Sequence, residues 1–286
     1  MMTTILRQTA WIRAAFGLYP HPMEQVVPFG EWPPDHERPW VGFRDRSFPE
    51  DQVRAVLDAF LKHDPSLMIV HQTRHRTTYR IEPGPDRKTT VFMKHYRCRP
   101  LSLLNPRNVL RLGHARKSFR LSYLLAETGI PIAGVLFYLH EKGGGVRRDF
   151  LLGTEGLTGS HSLRAWMRVR YPSLSRKEKE EFVKELARFI AMLHQSGVCH
   201  GDLESNTLVV AGKHPFFLID LDSIRIFGPL LNRDRRKQLN TLERRLPEIG
   251  TNGEIRQLFL KTYEDHTRSG QLQMDRPGRG RGHALS

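Results

Sequence analysis

Val198-Cys-His-Gly-Asp-Leu-Glu-Ser-Asn-Thr-Leu-Val-Val210, followed by Phe216-Phe-Leu-Ile-Asp-Leu-Asp222, is the stretch that decides the fold. It reads as a helix end, a tight polar turn and a hairpin whose second strand ends in a carboxylate. The turn offers His200, Asp202 and Asn206, and the apolar run delivers Asp220. Asp220 and Asp222 are two residues apart, so they share one face of an extended strand. Carboxylates at the end of an apolar run are costly unless a cation or strong donors compensate. Two hard carboxylates and an amide are a donor set suited to Mg²⁺ shared with nucleotide phosphates.

Around this stretch the chain divides by pattern. Upstream, Ser175 and Glu178 form a capping box for a helix with Phe182, Leu186, Phe189, Ile190 and Leu193 on one stripe, stopped at Gly197. A shorter helix covers 163–170, and two more, at about 233–246 and 252–267, follow the hairpin. Residues 66–156 are β-rich. Strands are expected at 67–70, 77–81, 89–96, 130–139 and 150–152, with one helix at 114–127 ending at Gly129. Ser47 and Glu50 suggest a second capping box before an amphipathic helix over 47–63. Residues 1–46 show no sustained period and read as irregular structure wrapping a neighbouring domain, or as partly disordered; 269–286, with Arg276-Pro-Gly-Arg-Gly-Arg-Gly, read as a disordered basic tail. The expected divisions are an extension at 1–65, a β-rich lobe at 66–156, a helical lobe at 157–268 and the tail.

Composition narrows the function classes. The 286 residues are 39% hydrophobic, which suits a folded core rather than a disordered chain. No apolar run reaches the roughly 20 residues of a membrane span. Arg7 and Arg13 interrupt the apolar start, against a signal peptide. Cys98 and Cys199 cannot build a disulfide framework or a zinc site, and a reducing cytoplasmic compartment is expected. The net charge is +15, and residues 71–120 alone carry 13 basic and 2 acidic groups. That block implies an anionic partner. No nucleic-acid module is present and aromatics do not interleave the arginines, so no specific nucleic-acid partner is expected.

His200-Gly-Asp202, eighteen residues before Ile219-Asp220, resembles the catalytic and metal-binding loops of the protein-kinase-like superfamily. Thr90-Val-Phe-Met-Lys94 resembles its third-strand lysine motif. The Lys94-His-Tyr-Arg97 strand end, the Arg-rich helix, Gly129-Ile-Pro131 and Leu151–Leu157 narrow this further. Together with the loops they resemble the lipopolysaccharide kinase family, which phosphorylates Kdo or heptose of the inner core. The resemblance covers residues 66–268 and leaves 1–46 unexplained.

That resemblance implies an α+β, two-lobed, protein-kinase-like fold with a small β-rich lobe and a mainly helical one. It implies an ATP- and Mg²⁺-dependent phosphotransferase with an alcohol acceptor. Asp202 would take the acceptor proton and His200 would orient the loop. Asp220 would hold Mg²⁺, with Asn206 or Thr207 as a further metal contact. Lys94 would pair with the α/β-phosphates. Arg76 and Thr77, in the segment standing where a Gly-rich loop is usual, would bond phosphate oxygens. Glu155 and Leu157 would meet adenine at the hinge. The acceptor would be lipopolysaccharide core or a lipid A precursor, and the location cytoplasmic, peripheral at the anionic cytoplasmic face of the inner membrane. Oligomeric state is not implied. Four departures accompany the match: Thr207 stands where the metal-binding Asn is usual, no Gly-rich loop is present, Ser118 stands at the register of the helix glutamate, and no activation segment is recognisable. The alternatives they leave are a pseudokinase or regulatory nucleotide-binding module, and an atypical protein kinase. Glu204 reads as a solvated loop residue.

Overall fold

The computed structural model describes residues 26–34, 38–82, 89–97, 114–142, 149–210, 215–226, 230–251 and 253–275. The described chain forms two compact units, 26–160 with 210–222, and 161–209 with 223–275.

The first unit is an antiparallel sheet between two helices. Its strands are β1 (Val26–Trp32), β2 (Trp40–Asp45), β3 (Leu67–Gln72), β4 (Arg76–Ile81), β5 (Val91–Tyr96), β6 (Val135–Glu141) and β7 (Phe150–Glu155). They lie in the order β1-β2-β6-β7-β5-β4-β3. Helix α1 (Glu50–Leu61) packs Val53, Val56, Leu57 and Phe60 onto one face, against Ile81, Val91, Met93 and Leu151. Helix α2 (His114–Glu127) packs Ala115, Phe119 and Tyr123 onto the other, against Tyr138, Phe150 and Leu152. The period of two along β5 sends Val91 and Met93 toward α1, so Lys94 and Tyr96 stand on the α2 side.

The β-rich stretch and the 114–127 helix form as their patterns predict, with strand ends moved by a few residues. Three features differ. Residues 26–45, which show no period, supply β1 and β2: β2 pairs with β6 from Trp40↔Glu141 to Arg44↔Phe137. Their sheet membership comes from partners about a hundred residues away, which local pattern does not report. Residues 1–25 lie outside the described residues. The Ser47 capping box does not form. Ser47 turns back on Asp45 through its N–H and hydroxyl, at 2.8 and 2.5 Å, and α1 starts after Pro49 without a side-chain cap. Third, strand β11 (Phe216–Leu218) and Asp220 belong to the sheet unit. The Leu218 N–H donates to Pro131 O at 2.9 Å, and the Ala133 N–H donates to Leu218 O at 3.3 Å. The Gly129-Ile-Pro131 turn after α2 is therefore the anchor of the Asp220 strand. Gly129 has φ 77°, a conformation that favours glycine at a helix end.

The second unit is helical: α3 (Leu163–Val169), α4 (Arg176–Gln195), α5 (Leu203–Asn206), α6 (Asn232–Arg245), α7 (Pro247–Gly250) and α8 (Gly253–Asp275), with short strands β8 (His161–Ser162), β9 (Val198–His200), β10 (Thr207–Val209) and β12 (Ile224–Ile226). The Ser175–Glu178 box is present in both directions, at 3.3 and 2.8 Å, and such caps contribute about 1 kcal/mol. Trp166 stacks on Phe182 with ring centroids 4.0 Å apart, tying α3 to α4. Helix α8 runs to Asp275, beyond the expected end at about 267. The remainder of the tail, 276–286, lies outside the described residues. No described helix is long and apolar enough to cross a membrane.

Gly153 on β7 sits against the ring of Phe137, and a Cβ at that position would lie 2.3 Å from Phe137 Cε1. Gly153→Ala should cost about 1–3 kcal/mol of stability by overpacking. Phe137→Leu in the same background should recover part of it, which denaturant unfolding of the three variants measures.

Candidate functional site

In the sheet unit, two cations and two carboxylates converge. Lys94 Nζ lies 2.5 Å from Asp220 Oδ1 and 3.8 Å from Asp222 Oδ1. Arg76 Nη1 lies 3.4 Å from Asp220 Oδ1 and 3.0 Å from Asp222 Oδ2. The Tyr96 hydroxyl donates to Asp222 Oδ2 at 3.3 Å. These contacts follow from register. Arg76 is opposite Tyr96 and Thr78 opposite Lys94, so the four side chains share the α2 face. Asp220 has φ 58°, a region that costs non-glycine residues about 1–2 kcal/mol and that Asp tolerates better than most. The ion pairs compensate for that turn.

Burial opposes ionisation of Asp220, but its bond with Asp222 and the charges of Lys94 and Arg76 outweigh it, holding its carboxyl well below the usual range. Burial pushes Asp222 the other way, reinforced by its bond to Asp220. Asp222 Oδ1 is buried with no hydrogen bond. Desolvation lowers the Lys117 ammonium of α2 below its usual range, and Asp222 is the charge that opposes this. Ser118, at the register of the helix glutamate, is buried with its hydroxyl unpartnered. Acidic partners of Lys94 are therefore Asp220 and Asp222, not a residue of α2.

Thr77 does not join this group. It is fully buried on the α1 face, opposite His95, and its hydroxyl accepts from Arg97. A phosphate-facing role for its side chain does not fit this geometry; Thr78 stands on the Lys94 face instead. Glu155 is exposed at the end of β7, with its N–H donating to Gly134 O at 2.7 Å. The Gly156 N–H donates to Thr90 O at 2.8 Å, and Leu157 follows, half-buried.

In the helical unit, β9 ends in His200, which pairs with Ile224 of β12. His200 is 1% exposed, and its Nδ1 accepts from the Asp202 N–H at 3.1 Å. Its carbonyl accepts from Gln238 Nε2 at 2.7 Å. Gln238 Oε1 meets His194 Nε2 at 2.6 Å, and His194 Nδ1 meets the Tyr263 hydroxyl at 2.7 Å. A buried polar chain thus runs from α8 through α4 and α6 to the backbone of the loop. Asn206 Nδ2 donates to the Asp202 carbonyl at 3.0 Å, with its side chain half-buried. Thr207 is fully buried, its hydroxyl without a partner. Glu204 corrects the solvated reading. It is 1% exposed, bound by Arg164 and, at 2.8 Å, by Arg245, which also reaches Asp202 Oδ1 at 2.6 Å.

The model of the lipopolysaccharide kinase (Kdo/WaaP) family matches residues 68–263. The chain belongs to that family. It is therefore a kinase of the Kdo/WaaP type, with the α+β, kinase-like fold that the loop motifs imply. A solved structure of WaaP in complex with acyl carrier protein is similar at 22% identity over 72% of this chain and 81% of that one, with a TM-score of 0.50. At that identity the likeness shows the fold. The MAP kinase LmaMPK10 from Leishmania major is similar at 14% identity over 60% and 50%, with a TM-score of 0.39. No curated protein matches the chain.

Sequence reasoning missed the Gln238–His194–Tyr263 chain and the two arginines on Glu204. His194 sits on the apolar stripe of α4, four residues after Ile190, which is a signal for a buried histidine. Its partners on α6 and α8 carry no sequence signal. Burial holds His194 down to about 4. A histidine neutral in the fold and at its ordinary value when unfolded binds fewer protons folded between those values. Stability should be fully present above pH about 6.5 and decline as pH falls toward about 4, by on the order of 3 kcal/mol. Urea unfolding at pH 7 and pH 5 measures this, and His194→Gln should flatten the difference.

Proposed function

We propose that the protein transfers the γ-phosphoryl group of ATP to a sugar hydroxyl, Kdo or heptose, of the lipopolysaccharide inner core. The observation that carries this reading is the Lys94–Asp220 pair, joined across 126 residues and reinforced by Arg76 and Asp222. A lysine on a strand, held against a carboxylate at a loop turn, is the arrangement phosphoryl transfer uses to fix phosphates and their metal.

The residues present fit Mg²⁺. Among the described residues no cluster of three or more His, Cys, Asp or Glu could hold a metal unaided. Mg²⁺ suits such a site, because it is commonly bound by one or two carboxylates with waters and substrate phosphates. Asp220, with Asp222 beside it, would hold the ion; the buried Asp222 Oδ1 without a hydrogen bond is a donor of the right kind. When bound, the ion would neutralise phosphate charge. Asn206, half-buried near Asp202, suits a polar or metal contact better than the enclosed Thr207.

The chain's own residues do the rest. Lys94 and Arg76 bind phosphate oxygens by charge-assisted bonds, exchanging carboxylate partners for nucleotide. Leu157 offers backbone to adenine, with Glu155 beside it. His200 shapes the turn through its bond from the Asp202 N–H. Asp202, with its side chain about half exposed, accepts the proton of the acceptor hydroxyl. The net +11 of residues 71–120 favours an acceptor carried on an anionic membrane face, at about 1 kcal/mol per basic residue near the surface. Part of that charge is directed inward, since Arg76 and Lys94 are paired within the site.

Purified inner-core oligosaccharide with γ-labelled ATP should accept label. Asp202→Ala should lower transfer at least about 10³-fold while leaving ATP affinity within a few-fold, because general-base loss acts on the transfer step. Transfer that survives Asp202→Ala, or label that goes to peptide and not to the sugar, would remove this reading.

A further inference from the structure

Glu204 is the most deeply buried carboxylate of the helical unit's loop, two residues after Asp202 on the single turn of α5. An ionised carboxylate so placed costs several kcal/mol unless paired and hydrogen-bonded. Two arginines from different elements supply the pairing: Arg164 from α3 and Arg245 from the last turn of α6. One nitrogen of Arg245, Nη1, serves both Glu204 Oε1 at 2.8 Å and Asp202 Oδ1 at 2.6 Å. Among the described residues, Asp202 Oδ2 has no hydrogen bond. Charges within the group balance, two guanidinium ions against two carboxylates, so it is not an anion-collecting patch. Its geometry ties one oxygen of Asp202, on a side chain about half exposed, and leaves the other unbonded.

We propose that Arg245, seated on the buried carboxylate of Glu204 and braced by Arg164, is a positioning residue that orients Asp202 for the acceptor hydroxyl. The inference rests on the reading of Asp202 as proton acceptor given above. As the acceptor oxygen bonds to the γ-phosphorus and the bond from that phosphorus to the β-bridging oxygen breaks, the hydroxyl proton passes to Asp202 Oδ2. ADP leaves with the bridging oxygen. Arg245 takes no proton; it holds the carboxylate in the rotamer that presents Oδ2 and offsets the charge of the pair throughout. Misplacement of a reacting group by about 1 Å can cost about 10²-fold in rate, which sets the size of the effect.

The full chain is assayed for transfer to inner-core oligosaccharide, with thermal unfolding of every variant to count folded protein. Arg245→Gln should lower kcat about 10²-fold with KM for Mg²⁺·ATP within about three-fold. Arg245→Lys, which keeps the charge and loses the fork, should recover at least about a tenth of the wild-type rate. Glu204→Gln should lower kcat in the same direction, and the double variant should fall no further than Arg245→Gln, because the two act as one unit. A purely structural brace would lower the melting temperature with kcat per folded molecule unchanged, and that result overturns the proposal. Wild-type kcat in Arg245→Gln would do the same, provided Asp202→Asn is inactive. Should Asp202→Asn turn over normally, the reading of Asp202 itself is what has failed, and the inference falls with it.

Discussion

The ion pair between Lys94 and Asp220 is the constraint on which the sheet unit depends. It joins the middle of β5 to a turn 126 residues later, at 2.5 Å. Removing one partner would leave the other with its longer contact alone, Lys94 on Asp222 at 3.8 Å or Asp220 on Arg76 at 3.4 Å, and would cost part of the about 3–5 kcal/mol that breaking a buried pair costs. Everything around it serves to make the pair possible. The alternation of β5 turns Lys94 to the α2 face, and the Pro131–Ala133 segment hydrogen-bonds β11. The left-handed turn at Asp220 brings the carboxylate round, and Arg76 and Asp222 complete a balanced set of four charges. The same balance is what phosphates and a divalent cation would enter, exchanging partners without leaving bare charge.

In the helical unit, buried hydrogen bonds and a group of ion pairs together hold the loop. The loop of His200 and Asp202 is gripped from beneath by Gln238, which is fixed in turn by a neutral His194 and Tyr263. It is gripped from the side by Arg245 on Glu204. Buried polar chains of this kind are costly when broken and stabilising when every member is satisfied. That gives the loop a rigid floor built from α4, α6 and α8.

Much of the architecture was legible in the residues. Capping by Ser175 and Glu178, the stripe on α4, the α2 helix from 114 to 127, and the Lys94, His200-Gly-Asp202 and Asp220 motifs are local signals, and each element stands where its signal lies. What was not legible depends on distant partners. The strands of 26–45 are defined by β6. Glu204 looks like any loop glutamate until Arg164 and Arg245, each about forty residues away, are folded onto it. Thr77 and Thr78 differ only in which face they present, and that follows from the pairing of Thr78 with Lys94. Ser47 looked like a helix cap because Glu50 follows it by three, yet Asp45 lies closer to hand.

In the proposed function Asp220, paired with Lys94, is where Mg²⁺ and the nucleotide phosphates are held. Isothermal titration of ATP into wild-type protein and Asp220→Asn, each with and without Mg²⁺, measures this. Mg²⁺ should strengthen ATP binding at least about tenfold in the wild type, and Asp220→Asn, still folded, should lose that gain. An Asp220→Asn variant that binds Mg²⁺·ATP as the wild type does would contradict it.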